Sequence, residues 1–215
     1  MPKKRKQSNL KPLKTLRIFC EGEKTEPLYI NGYIDLVSVS GRKTVISIEP
    51  TRKNTPMQLV DEAVKLKKSN VSLPEDEFWV VYDREAPSKY PDALHLTAWK
   101  KAERNNVNVS LSNVCFEYWL LIHLVDTQAP YSCYDDLRKN SPLNEKMKEL
   151  CGKRYEKTEG SIFQILKDKV PLARKRAKKL NAESKKSACP GRNMPFHMNP
   201  YVDVVDLLDA IDDFK

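Results

Sequence analysis

The chain has 215 residues, 40% hydrophobic and 31% charged, with 38 Lys and Arg against 29 Asp and Glu for a formal net charge of +9. That is enough for one medium domain, or one domain with a substantial appendage. No run of about 18 apolar residues occurs, so no membrane-spanning helix is expected. No apolar segment of signal-peptide type follows the N-terminus. The positive balance suits a polyanionic partner such as nucleic acid, although net charge also serves solubility. Cys20, Cys115, Cys133, Cys151 and Cys189 are five in number, widely spaced and not set for zinc. They read as reduced thiols of a cytoplasmic protein.

Residues 1–14 form a basic leader. Met1-Pro2-Lys3-Lys4-Arg5-Lys6 has the composition of a nuclear localisation signal and equally of a tail that brushes nucleic acid, the preferred reading. A first strand is predicted over 15–20. Thr25-Glu26-Pro27 then opens a helix with a Thr cap and Pro in the first turn. Val45–Ile48 reads as a second strand, Thr55-Pro56 as the start of a second helix, and 78–82 as a third strand. A helix over 93–105, a strand over 107–111 and an apolar helix over 116–124 follow. Strands alternating with helices at this period predict an α/β fold with a parallel sheet and right-handed crossovers. Beyond residue 126 the pattern becomes helical, over 134–150, 161–181 and 201–214, with no clear strand. The expected organisation is a leader (1–14), an α/β domain (15–126) and a helical C-terminal part packed on it (127–215).

Two strand ends carry the chemistry. Ile18-Phe19-Cys20-Glu21-Gly22-Glu23 and Val80-Val81-Tyr82-Asp83-Arg84-Glu85 are apolar runs that stop at carboxylates. Such runs read as strands buried on both faces. Residues past the C-terminal ends of parallel strands face the crevice where α/β proteins bind ligands. If the two strands are neighbours, Glu21, Asp83 and Glu85 converge there. Unpaired carboxylates in one crevice repel, and a divalent cation such as Mg²⁺ or Mn²⁺ relieves them. The plainer alternative is that each strand has simply met water, or that Arg84 forms a local salt bridge. Glu117 lies in an apolar stretch after the fourth strand and either compensates a helix N-terminus or points into the same crevice. His123 falls on a different helical face from Glu117. A lone His in an apolar helix is more often a hydrogen-bonded core residue than a catalyst.

The helix after Lys167 has an apolar stripe of Leu166, Val170, Ala173, Ala177 and Leu180, flanked by Arg174, Lys175, Lys178 and Lys179. These cations form either a solvated face or a phosphate track for RNA or DNA. Arg154-Tyr155-Glu156-Lys157 is a second basic segment.

The order of these pieces resembles the RloB-like family of bacterial proteins. The likeness rests on Ile18 to Pro27, on Tyr82-Asp83-Arg84-Glu85, and on Ser112 to His123, with Tyr155, Lys157 and Asn199-Pro200 also fitting. Where the family has Pro, this chain has Val114. The resemblance implies a Toprim-like fold, in which a Glu follows the first strand and an Asp-x-Asp the third. Glu21 matches the first element; Asp83 and Glu85 match the second, with Glu in the last place. It also implies a defence role against phage, beside a separate AAA- or ABC-type ATPase, in some relatives as a nuclease acting on tRNA. No Gly-x-x-x-x-Gly-Lys-Ser/Thr loop occurs in this chain.

The expected function is a Mg²⁺-dependent nuclease of RNA, tRNA or DNA, active in the cytoplasm and compatible with a homodimer. Glu21, Asp83 and Glu85 would bind the metal, Glu117 would assist, and Lys157 and His123 would meet the phosphate or move a proton. Arg174, Lys175, Lys178 and Lys179 would hold the nucleic-acid backbone. The alternative is a non-catalytic partner or sensor subunit that docks on an ATPase through apolar residues near Tyr131, Tyr134 and Phe196.

Overall fold

The computed structural model describes residues 13–38, 45–53 and 55–214. All but the last two residues of the basic leader lie outside these. The chain runs β1 (Thr15–Cys20), α1 (Thr25–Val37), β2 (Val45–Ile48), α2 (Pro56–Lys67), β3 (Glu77–Asp83), α3 (Asp92–Arg104), β4 (Asn108–Asn113) and α4 (Glu117–Leu124). Then come α5 (Tyr134–Asn140), α6 (Leu143–Cys151), α7 (Ile162–Leu166), α8 (Val170–Ser187), β5 (Tyr201–Val202) and α9 (Val204–Asp213), with short 3₁₀ turns at Lys167–Lys169 and Pro195–His197.

The strands form one sheet in the order β2-β1-β3-β4-β5. β1 pairs in parallel with β2 and β3, and β3 with β4. The α/β class with a mainly parallel sheet flanked by helices is therefore as expected. Alternation along the central strands explains their unbroken apolar runs. Leu16, Ile18, Cys20, Trp79 and Val81 face one core. Phe19, Phe78, Val80 and Tyr82 face the other, under α2 and α3. Each large apolar side chain so buried contributes about 1.5–3 kcal/mol. α4 is buried from Glu117 through His123, which is why its sequence is apolar on every face.

The C-terminal part departs from expectation in three places. The helix expected over 134–150 breaks at Ser141, which is extended, as the residue before Pro142 tends to be. The helix expected over 161–181 is interrupted and restarts at Val170-Pro171, with proline in the first turn where its missing N–H is harmless. Tyr201–Val202, expected to be helical, is an antiparallel strand paired with Ser112 and Asn113. That pairing carries β4 two residues beyond its expected end. A two-residue strand has no period to read and is set by its distant partner. The peptides Asn113–Val114 and Asn199–Pro200 are cis. Among the described residues no helix is long and apolar enough to cross a membrane, and the five cysteines are unpaired.

Candidate metal and phosphate site

Strand order places the site. β2 lies on one side of β1 and β3 on the other, so the chain reverses direction across the sheet between β1 and β3. The crevice beyond the C-terminal ends of strands at such a reversal is the usual ligand site of an open α/β sheet. Glu21 leaves β1 there and Asp83 ends β3, held together because the Asp83 N–H donates to Glu21 Oε2 at 2.9 Å. A cavity of about 370 Å³ opens at this point. Glu21, Glu23, Glu26, Asp83, Glu85 and Glu117 line it, together with Lys24, Lys89 and Lys157. The three carboxylates expected to converge do so, and Glu117 joins them.

The crowding shows in their acidities. Burial first, then the charge of Glu85, pushes Glu21 up to about 7 against the hydrogen bond from Asp83 N–H. Burial and the negative charges of Glu26, Glu21, Glu117 and Glu85 raise Asp83 well above the usual carboxylate range. Glu26 is raised by burial and by Glu117, despite backbone N–H groups, including that of Gly22, that favour its charged form. Glu26 and Glu117 each stand in the first turn of a helix, where the N-terminal dipole offsets part of the repulsion.

Three devices hold the side chains in place. A Cβ on Gly22 would collide with the Glu26 carboxylate, so glycine is what lets that carboxylate fold over this turn. The Tyr155 hydroxyl donates to Glu117 Oε1 at 2.8 Å. Burial and Glu117 both raise the Tyr155 pKa, which keeps it a donor. Thr25 Oγ1 lies 3.2 Å from that hydroxyl and donates to the Lys157 carbonyl at 3.1 Å, tying the 155–157 loop to α1. Lys157 Nζ stands 3.6 Å from Glu117 and 3.8 Å from the Tyr134 ring centre. Burial works most strongly against its charge, but Glu117, Tyr134, Asp83 and Cys115 together outweigh it and raise its pKa.

Glu85 reaches the crevice by a different route from strand alternation. Its φ of 58° lies in the left-handed region, and its carboxylate pairs with Lys89 at 2.7 Å. Arg84 turns away from its acidic neighbours. It is buried, donates to the Phe196 and Tyr90 carbonyls at 2.8 and 2.7 Å, and pairs with Asp92 at 2.6 Å. It is a structural clamp.

Three expectations need correction. His123 is 1% exposed and lies outside the crevice. Its Nε2 is 2.8 Å from the Tyr29 hydroxyl and its Nδ1 2.8 Å from the Trp119 carbonyl. Burial holds it neutral, with a pKa of about 3, so it is a core histidine. Arg174 donates to Tyr33, Asp209 and Asp212 at 2.9, 2.5 and 2.7 Å. Lys178 pairs with Asp209 at 2.7 Å, and Lys179 with Asp126 at 3.6 Å. The basic face of α8 is therefore largely met by acids of α9 and of the turn after α4, leaving Lys175 exposed. Tyr131 and Phe196 are 7% and 2% exposed, so they offer no docking surface.

Sequence reading passed over Glu26 as a helix-opening acid; a glycine four residues before an acid at a helix start was the available clue. Tyr155 was visible only through the family likeness.

A family model of RloB-like proteins matches residues 16–211. The chain belongs to the RloB-like family. No curated protein and no solved structure matches it.

The donor set suits a hard cation, because six of the side chains that line the cavity are carboxylates. Among the described residues no three His, Cys, Asp or Glu side chains are already arranged to hold a metal. Mg²⁺ does not require that: it is commonly held by one or two carboxylates, water and substrate phosphate.

Proposed function

We propose that this RloB-like protein is a Mg²⁺- or Mn²⁺-dependent nuclease of the cytoplasm, cleaving phosphodiester bonds of RNA, tRNA among the candidates, or of DNA. The observation that carries this reading is the gathering of six carboxylates and three lysines at the reversal point of the sheet. Crowded acids with raised pKa values destabilise a fold, so their retention in one cavity points to a ligand that neutralises them.

Asp83 is the central candidate ligand, with Glu21 and Glu85 beside it and Glu26 and Glu117 within the same cavity. A bound cation would neutralise charge on the scissile phosphate and lower the pKa of an attacking water. Glu21 would hold the cation or carry a proton. Lys157, oriented by Glu117 and the Tyr134 ring, and Lys89, oriented by Glu85, present ammonium groups to the phosphate oxygens. Tyr155 is a positioning residue that fixes Glu117. We further propose a role in antiphage defence beside a separate ATPase chain, supported by membership of the family and by the lack of a phosphate-binding loop in this sequence.

The test is incubation of the purified chain with total bacterial RNA and plasmid DNA, with Mg²⁺, Mn²⁺ or EDTA. Cleavage is expected with either cation in wild type and in neither Asp83→Asn nor EDTA. Equal cleavage by Asp83→Asn would overturn the assignment.

A further inference from the structure

An acidic crevice repels the polyanion it is proposed to cut, so cations elsewhere must bring the substrate in. The face of α8 is less suited, since Arg174 and Lys178 are paired closely with acids of α9 and Lys179 loosely with Asp126 at 3.6 Å. A second hollow, of about 600 Å³, lies between α5, α6 and the segment after α6. Its walls carry Arg138 and Lys139 from α5, Lys148 from α6, and Arg154, against the single carboxylate of Glu145. All four cations are exposed. Arg138 has only a loose pair with Asp135 at 3.7 Å, half exposed on the arginine side. Among the described residues no carboxylate pairs with Lys139, Lys148 or Arg154.

Two stretches of chain link the hollow to the crevice. Tyr134, which carries Lys157 over its ring, is four residues before Arg138 and shares its helical face. Arg154 is three residues before Lys157, a reach of at most about 10 Å. Successive phosphates on one strand of a duplex rise by about 3.4 Å, so neighbouring phosphates can meet both groups. No aromatic or apolar side chain lines the hollow, which favours contact with phosphates over bases.

We propose that this hollow is the track that holds the nucleic-acid phosphate backbone and feeds it into the carboxylate crevice. It rests on the nuclease reading for its purpose, though its binding can be measured without cleavage. The experiment uses the full chain in EDTA with fluorescein-labelled mixed-sequence RNA and DNA, following anisotropy between 50 and 200 mM salt. Arg138→Glu/Arg154→Glu is compared with Lys175→Glu/Lys179→Glu, with thermal unfolding confirming that both fold. The hollow variant is expected to bind at least tenfold more weakly at 50 mM salt. Its slope of log affinity against log salt should be shallower by about 1.5, the share of two phosphate contacts. The α8 variant should change affinity less than threefold.

An equal or larger loss in the α8 variant, an unchanged salt slope in the hollow variant, or no binding by wild type overturns the track. A parallel cleavage assay with Mg²⁺ separates the two ideas. Cleavage lost in Asp83→Asn but untouched in the hollow variant keeps the nuclease and removes the track. Binding lost in the hollow variant, with no cleavage by wild type, does the reverse.

Discussion

The carboxylate crevice and the α8–α9 face use charge in opposite ways. On α8, Arg174 and Lys178 meet Asp209 and Asp212, and Arg176 donates to the Ile122 and His123 carbonyls at the end of α4. In the crevice, six carboxylates share three lysines, and burial raises the pKa of Glu21, Glu26 and Asp83. Matched charges fix one element against another. Unmatched charges held together by dedicated devices, such as Gly22 under Glu26 and Tyr155 on Glu117, are better explained by a ligand. A charge-rich segment in the sequence does not reveal which of these two uses it serves.

Substitutions should separate the two regions. The largest effect is expected from Asp83→Ala, which should lower cleavage by roughly a thousandfold or more while the fold survives, as removal of a central electrostatic group does. Quantified product formation together with an unfolding curve checks both halves. Next, Tyr155→Phe removes the donor that positions Glu117 and should lower kcat roughly tenfold, the effect of losing one hydrogen bond to a charged group. If the loss fell on KM alone, Tyr155 would be contacting substrate instead.

Protons and cations should compete for the crevice. Glu21 has a folded-state pKa above its unfolded value, so the folded state binds its proton more tightly. The cation-free protein should therefore lose stability as pH rises from about 4.5 to about 7. Asp203, raised by burial to about 7, acts with the same sign from about 4. Glu21→Gln should remove only Glu21's own share of this decline, leaving those of Asp83, Glu26 and Asp203. Above pH 7, Mg²⁺ at about 100 times its Kd should add ~2.7 kcal/mol, or roughly 5–10 °C of Tm for a chain of this size. Asp83→Asn should remove most of that gain, and differential scanning fluorimetry across pH reads it directly.

Changes outside the crevice should move stability alone. His123→Ala leaves the Tyr29 hydroxyl without its partner and opens a cavity, for a loss of about 3 kcal/mol. Cleavage per folded molecule should stay within twofold of wild type. Arg174→Ala is expected to lose about 1 kcal/mol, the scale of partly exposed ion pairs, with cleavage again within twofold. A rate loss in either variant at matched folded fraction would return that residue to the site.

Much of the sheet was legible because its physics is local. The central strands are buried on both faces and so read as unbroken apolar runs ending at acids, while Thr55-Pro56 marks its helix start through a side chain that accepts from Gln58 N–H. Glu21, Asp83 and Glu85 were legible once the strands were taken as neighbours. Glu26 was not, because its burial depends on how α1 sits over Gly22. β5 was not, because two residues gain strand geometry only from Ser112 and Asn113. The pairing of α8 was hidden because its acids come from α9, some 30 residues later. The hollow was hidden because Arg138, Lys148 and Arg154 come from three separate segments.

The central claim is that the carboxylate crevice cuts nucleic acid. The most direct test expresses wild type and Asp83→Ala in bacteria, with the neighbouring ATPase gene if one exists, under an inducing stress, and sequences the ends of total RNA and DNA. The account predicts new ends in wild-type cells that vanish in Asp83→Ala cells at equal protein level. The same ends in both strains, or none in either while the variant still protects against phage, would contradict it.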